Sequence, residues 1–317
     1  MGPGGRPRLV GAVRRLAVAS LVAQVLLIGT GGAVRLSDSG LGCPTWPRCT
    51  ATSYVNTPAY GLHGDIEFGN RLLTVVLTVL TIATAVAAVA ERPRRRDHRG
   101  LAIALLAGIP AQAVLGGVSV LTHLDPWVVS LHYLASAVLV AIATVLVHRT
   151  RPGVPAGRRQ WAVPRLVQGL VLGSAVTTAA VVYVGTVVTG SGPHAGDRGS
   201  ARTGLDPAQV AQLHADLVTL LIGLTIGLAV AVRLPAAATG RTGAARTPAR
   251  AATVVAVLLG VEVAQAGIGW VQYATGLPVA LVDLHLMGAA LVVAAVTAAV
   301  LATRAVDPLS DPVVDGD

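Results

Sequence analysis

The sequence predicts an all-α integral membrane protein: eight transmembrane helices in two tandem four-helix bundles, related by a pseudo-two-fold axis along the membrane normal. Three observations predict it. The apolar residues gather into runs of membrane-spanning length, the arginines segregate to alternate connections, and the second half of the chain repeats the first.

The 317 residues are 53% hydrophobic and only 12% charged, with a mean hydropathy of +0.69. A soluble domain carries about a quarter charged residues. Apolar runs cover roughly 14–35, 67–90, 101–121, 127–148, 166–189, 207–232, 251–273 and 279–303. Each is long enough to cross a hydrocarbon core about 30 Å thick. The arginine-rich start of the first run is also a signal-peptide feature. Seven further spans, and no small-residue cleavage site after the first, favour an uncleaved first helix.

The formal charge of +9 comes with no lysine at all. Arginines crowd the N-terminus, the connections after the second, fourth and sixth spans, and the end of the eighth. Only Arg35, Arg48, Arg71, Arg198 and Arg202 fall on the other side. The positive-inside rule places both termini in the cytoplasm of a bacterial inner-membrane protein. The basic charge therefore sets topology, and nucleic acid is not an expected partner.

Both cysteines, Cys43 and Cys49, lie in the first external loop. That side is oxidising in a bacterium, and the spacing permits a small disulfide ring. Two free thiols are the alternative. A metal site is the weaker reading, because no further Cys or His stands beside the pair.

Residues 111–141 align with 264–294 at a constant offset of 153, with 13 of 31 positions identical. Gln112 and His132 fall on Gln265 and His285, which shared apolar composition alone does not explain. Gly29-Thr30 in the first helix is echoed by Gly185-Thr186 in the fifth. Four helices return the chain to its starting side, so both halves run in the same direction. The expected division is an N-terminal half, 1–150, and a C-terminal half, 151–317.

His132, His214 and His285 follow Pro126, Pro207 and Pro278 by six or seven residues. Proline suits the first turn of a helix. At 1.5 Å per residue each His then lies roughly 10 Å inside its helix, towards the external side. A single intramembrane His is often a polar group satisfied by a neighbouring helix. Three at one depth are a costly set, and facing helices that each present a His are a way to hold heme. His63, His123 and His194 read as loop residues, and His98 and His148 as inert groups of the cytoplasmic side.

The halves differ. His214 and His285 can ligate one iron from both sides, which leaves no vacancy and suits electron transfer. In the first half His132 faces Asn70, a poor iron ligand. Glu67 precedes Asn70 by three residues, on the same helix face. The second half has Ala211 and Ala215 where the first has Glu67 and Arg71. A carboxylate that only one half keeps suggests chemistry there.

The stretch at 30–49, TGGAVRLSDSGLGCPTWPRC, resembles the first helix exit and loop of heme A synthases. The segment IEFGNR at 66–71 is similar to that family's Ile-Glu-x-x-His-Arg motif, with Asn70 in place of its His. The layout and the His positions fit over nearly the whole chain. The resemblance implies oxidation of the C8 methyl of heme O to the formyl of heme A, for terminal cytochrome oxidase. It implies heme b between His214 and His285 and substrate heme near Glu67, Asn70 and His132, with His132 as the sole axial ligand if Asn70 does not ligate. It further implies a Cys43–Cys49 disulfide, and heme O handed over by a heme O synthase. The sequence identifies neither the electron donor nor any homo-oligomer.

Heme carries two propionates, and Arg35 and Arg71 are placed to meet them; anchoring to lipid headgroups is the other reading. Glu262, near the middle of the seventh span, reads as a protonated, hydrogen-bonded carboxyl, with a proton path as its alternative. Two other functions use the same scaffold: a diheme quinol-oxidising electron-transfer protein, and a non-catalytic heme carrier or oxidase assembly factor.

Overall fold

The computed structural model describes residues 6–234 and 246–306. Eight long helices follow in order: α1 (Arg6–Leu36), α2 (Gly61–Ala90), α3 (Arg96–Leu121), α4 (Pro126–Arg149), α5 (Arg165–Ser191), α6 (Pro207–Ala231), α7 (Arg246–Ala274) and α8 (Val279–Ala302). All eight are long and apolar enough to span a membrane. Arg241, one of the arginines assigned to the cytoplasmic side, lies outside the described residues.

Local chemistry fixes the helix starts. Asp125 accepts hydrogen bonds from the backbone N–H of Trp127 and Val128, and Pro126 opens α4 behind it. Asp206 caps α6 in the same way through Ala208, ahead of Pro207. Each Asp satisfies backbone donors that have no partner inside the helix, and each Pro sits where a missing N–H costs nothing. Pro278 instead stands just before α8, as its cap residue. The helix α2 begins at Gly61, after a short 3-10 turn at Pro58–Tyr60, about a turn and a half earlier than the apolar run indicated. Its polar first turns rise above the apolar span and receive the Cys loop.

Within each set of four, consecutive helices pack, and the first also packs on the fourth. Between the sets, α1 meets α8, α4 meets α5, and α4 meets α8. Exchanging the halves maps the first two contacts onto each other and the third onto itself, as a two-fold relation requires. Glycines allow the closest approaches. Gly29 lies against Met287, and Gly32 against Leu286 and the Asp283 carboxylate.

Both apolar cores sit towards the arginine-rich end. Val13, Ala17, Leu105, Leu139 and Leu146 anchor one; Val171, Leu228, Val255, Leu258 and Val296 anchor the other. Packing at that end fixes the bundles, while the Cys-loop end leaves room between the helices. A small antiparallel ribbon, β1 (Arg159–Trp161) with β2 (Arg304–Val306), ties the α4–α5 connection to the end of α8. The Arg304 guanidinium stacks 4.3 Å from the centre of the Trp161 ring. Burial, and then the neighbouring Arg149, pull the Arg159 guanidinium down to about 10. The sequence pattern did not indicate this ribbon.

Candidate heme sites

At the Cys-loop end of α1–α4 lies a cavity of about 480 Å³, within the usual range for small-molecule sites. It gathers Glu67, Asn70, Arg71 and His132, and Arg35 from the end of α1. All the N-terminal site residues expected from sequence therefore meet in one space.

His132 projects from α4 onto Gly116 of α3, where a Cβ would sit 3.4 Å from His132 Cε1. Its Nδ1 is buried without a protein partner. Across the cavity Thr30 Oγ1 lies 2.8 Å from Asn70 Oδ1. That contact occupies the amide oxygen, so Asn70 presents its NH₂ group to the space. Gln112, one turn below Gly116 on α3, donates from Nε2 to the His132 carbonyl oxygen (3.3 Å) and to Ser136 Oγ.

Cys43 and Cys49 form a disulfide, with Cα atoms 4.4 Å apart. The loop they close carries Trp46, whose indole lies flat over Gly117 of α3 and lines the cavity. Glu67 and Arg71 clamp this loop to α2. The Cys43 N–H donates to Glu67 Oε2 (2.6 Å), and Arg71 Nη2 donates to Glu67 Oε1 (2.6 Å). Arg71 also donates to the carbonyls of Cys43, Thr45 and Arg48.

This geometry corrects one expectation and reassigns a residue. The sequence pattern points only to chemistry for the Glu67 carboxylate. It is instead buried at 6% exposure with both oxygens engaged. The first half needs it because only that half has the Cys loop. Arg71 has all three guanidinium nitrogens occupied by the clamp, which leaves Arg35 as the better cation for a propionate. Arg35 spends Nε on the His194 carbonyl (2.8 Å) and Nη2 on that of Thr189 (3.1 Å), and keeps Nη1 for another acceptor.

Among the described residues of the second half there is no comparable clamp; instead, two histidines meet. The rings of His214 and His285 stand 6.4 Å apart, centre to centre, at 77°. Two imidazoles on opposite sides of one metal, each bonded at about 2 Å, place their ring centres about 6 Å apart. Each ring rests on a glycine. A Cβ on Gly185 would lie 3.0 Å from His214 Cε1, and one on Gly269 3.2 Å from His285 Cε1. Both Nδ1 atoms are buried without a protein hydrogen-bond partner. The spacing and the glycine cradles fit a heme iron held from both faces.

The remaining polar residues sort by position. Glu262 is 3% exposed, takes a hydrogen bond from Thr225 on Oε1 (3.0 Å), and has Oε2 unpartnered. His63 pairs with Ser39 (2.9 Å) and His194 with the Leu277 carbonyl (3.2 Å), so both brace loops. His98 forms a buried pair with Glu91 at 2.7 Å, a partner the pattern did not single out. Three cavity residues were also missed: Trp46, Gln24, and Tyr133, which donates to the Leu286 carbonyl across the α4–α8 contact (2.8 Å). Gln24, a lone amide inside an apolar run, carried the one signal that was readable in advance.

Residues 14–61 and 63–195 match the family described as cytochrome oxidase assembly protein. The chain is 31% identical to a heme A synthase of Symbiobacterium thermophilum over 56% of its own length and 59% of that protein's. It is 33% identical to a heme A synthase of Shewanella oneidensis over 42% and 44%. With that of Bacillus licheniformis it shares 25% identity over 56% and 58%. The chain thus spans about half the length of the curated relatives it matches.

Proposed function

The chain belongs to the cytochrome oxidase assembly protein family, and we propose that it acts as a heme A synthase, oxidising the C8 methyl of heme O to a formyl group. The contrast between the halves carries this reading. One half brings two histidines to iron-ligating separation; the other sets a single histidine and a clamped carboxylate around a cavity of about 480 Å³.

Heme b would be held by His214 and His285, and a heme held by two histidines would supply electron transfer. Heme O would enter the first cavity, where His132 would hold it. A heme iron there would supply the redox chemistry for the methyl-to-formyl change, a four-electron oxidation whose electrons pass to an external oxidant. The protein's own residues do the rest. Arg35 meets a propionate through Nη1. Trp46 and the disulfide loop cover the cavity and keep water from the reacting edge. Asn70 offers its NH₂ group as a hydrogen-bond donor. Glu67, fixed by Cys43 and Arg71, holds or relays a proton from a set position, since general acid–base work needs geometry first.

The arginine-rich end is assigned to the cytoplasm with both termini, and the Cys loop to the outside of a bacterial inner membrane. Heme O synthase is the proposed source of substrate. Heme extraction from membranes with and without the chain tests the reading. Heme A should appear only with it. Bound heme without heme A would mean a carrier or an electron-transfer protein.

A further inference from the structure

Two amides in the first cavity each leave one buried atom without a partner, and their unmet needs are complementary. Gln24 of α1 is 5% exposed, and its Nε2 is a buried donor with no acceptor. Gln112 of α3 has a buried Oε1 with no donor. Both line the same cavity. Gln112 is held in place because its own Nε2 already serves His132 and Ser136. Buried polar atoms in native proteins are nearly always paired, and leaving one unpaired costs about 1–3 kcal/mol. A ligand group within reach of both that donates once and accepts once would satisfy both. A hydroxyl does this; a carboxylate cannot donate, and a vinyl or methyl does neither.

The repeat gives an independent control. Gln112 recurs as Gln265, but the position matching Gln24 is Ala180. Thr74 and Ser136, also lining the cavity, match Val218 and Ala289. The second half thus keeps its histidines and Gln265, whose Oε1 is buried without a partner as well, and it lacks the amide donor of Gln24. The pairing of an unmet donor with an unmet acceptor is therefore peculiar to the first half, and Gln24 is what creates it.

We propose that Gln24 and Gln112 form a hydroxyl-reading subsite, selecting a heme whose ring carries a hydroxyalkyl side chain over one carrying vinyl groups. The proposal rests on the reading of this cavity as the heme O site and deepens it. Heme O differs from heme b by one such side chain, so the subsite lets the cavity admit substrate and refuse the heme of the other half. Position agrees. Gln24 lies roughly 18 Å below the end of α1 at 1.5 Å per residue, whereas Arg35 stands at that end. The hydroxyalkyl group and the propionates likewise lie towards opposite edges of the macrocycle.

The test uses hematoheme and mesoheme, which carry hydroxyethyl and ethyl groups at the same ring positions. Purified full-length chain, with its second-half site already filled, is titrated with each while Trp fluorescence and the Soret band are followed. The native chain should bind hematoheme roughly tenfold more tightly, the worth of hydrogen bonds totalling about 1.4 kcal/mol. Gln24→Met, close in size, should erase that preference while leaving mesoheme affinity unchanged. Equal binding of the two hemes by the native chain overturns the subsite, as does a preference that survives Gln24→Met. Equal weakening of both hemes would make Gln24 a packing residue and overturns it too. A His132→Ala control separates the underlying reading: if neither heme's binding depends on His132, the cavity is not the heme site at all.

Discussion

The two halves of this molecule share a backbone plan and differ in what they do with the space it leaves. Both place their apolar cores towards the arginine-rich end, and both rest their histidines on glycines of a neighbouring helix. In the second half His214 and His285 face each other, with ring centres 6.4 Å apart. In the first, Asn70 stands where His214 does, and the opening becomes a cavity walled by amides, hydroxyls and a clamped carboxylate. On the proposed reading, one scaffold gives a holding site and a reaction site. The halves differ in the residue at the Asn70 position, in the external loop, and in the polar residues that line the space.

The comparison breaks most sharply at the histidine pair. His214→Ala or His285→Ala leaves one axial ligand where two are needed. Each should abolish the low-spin heme spectrum of the purified protein and with it heme A formation. Retention of the full low-spin spectrum in either variant would mean that the halves do not divide roles as assigned.

Next in size is Glu67→Gln, which asks whether the clamp is also chemical. A Gln side chain can still accept the Cys43 N–H but cannot exchange a proton or pair fully with Arg71. Loss of a general acid or base typically slows a reaction by about 10²–10⁴-fold. Heme A formation should fall by at least about 10²-fold, with the second-half heme spectrum intact. Wild-type heme A formation in that variant would confine Glu67 to holding the loop.

Much of this contrast was legible in the sequence. The spans, the arginine segregation and the matched histidines rest on periodicity and composition, which the bilayer enforces on every residue it touches. Glu67, Asn70, His132 and Arg35 were readable as outliers, and the fold gathers them into one cavity. The partners of Glu67 were not readable. The clamp joins α2 to a loop more than twenty residues earlier, through backbone atoms that carry no residue signature. Arg71 looked like a ligand contact for the same reason, since nothing in its spacing reveals three carbonyls waiting in the loop. Trp46 was hidden because only the folded loop lays it over Gly117.

A smaller effect is expected where Trp46 meets Gly117. A Cβ there would collide with the indole, so Gly117→Val must push the side chain off the cavity. Substrate heme should bind several-fold more weakly, while the His214–His285 heme, on other helices, keeps its spectrum. The matched position in the second half is already Trp270, 73% exposed, so a large residue there is no obstacle to that half. Unchanged heme binding in the first half would show that the loop does not cover it.

The smallest expected effect is on global stability, and it concerns the disulfide. Replacing both Cys43 and Cys49 by Ser opens a ring closed over six positions. Chain-entropy arguments for so short a ring give about 2–3 kcal/mol. That figure applies to the loop's own ordering, because the helices on either side are fixed by cores at the far end of the bundle. The loop is also pinned through the Cys43 N–H and its carbonyl, contacts that survive loss of the sulfurs. The double variant should therefore lower the melting temperature by only a few degrees and leave the second-half heme untouched. Its deficit should appear as weaker substrate-heme binding, and it should grow when combined with Glu67→Gln. The two changes loosen the same loop, so their effects on the first cavity should exceed the sum of the separate ones. Simple additivity in that double-mutant cycle would mean that disulfide and clamp act on different parts of the molecule, and the Cys loop would no longer explain why one half keeps a carboxylate.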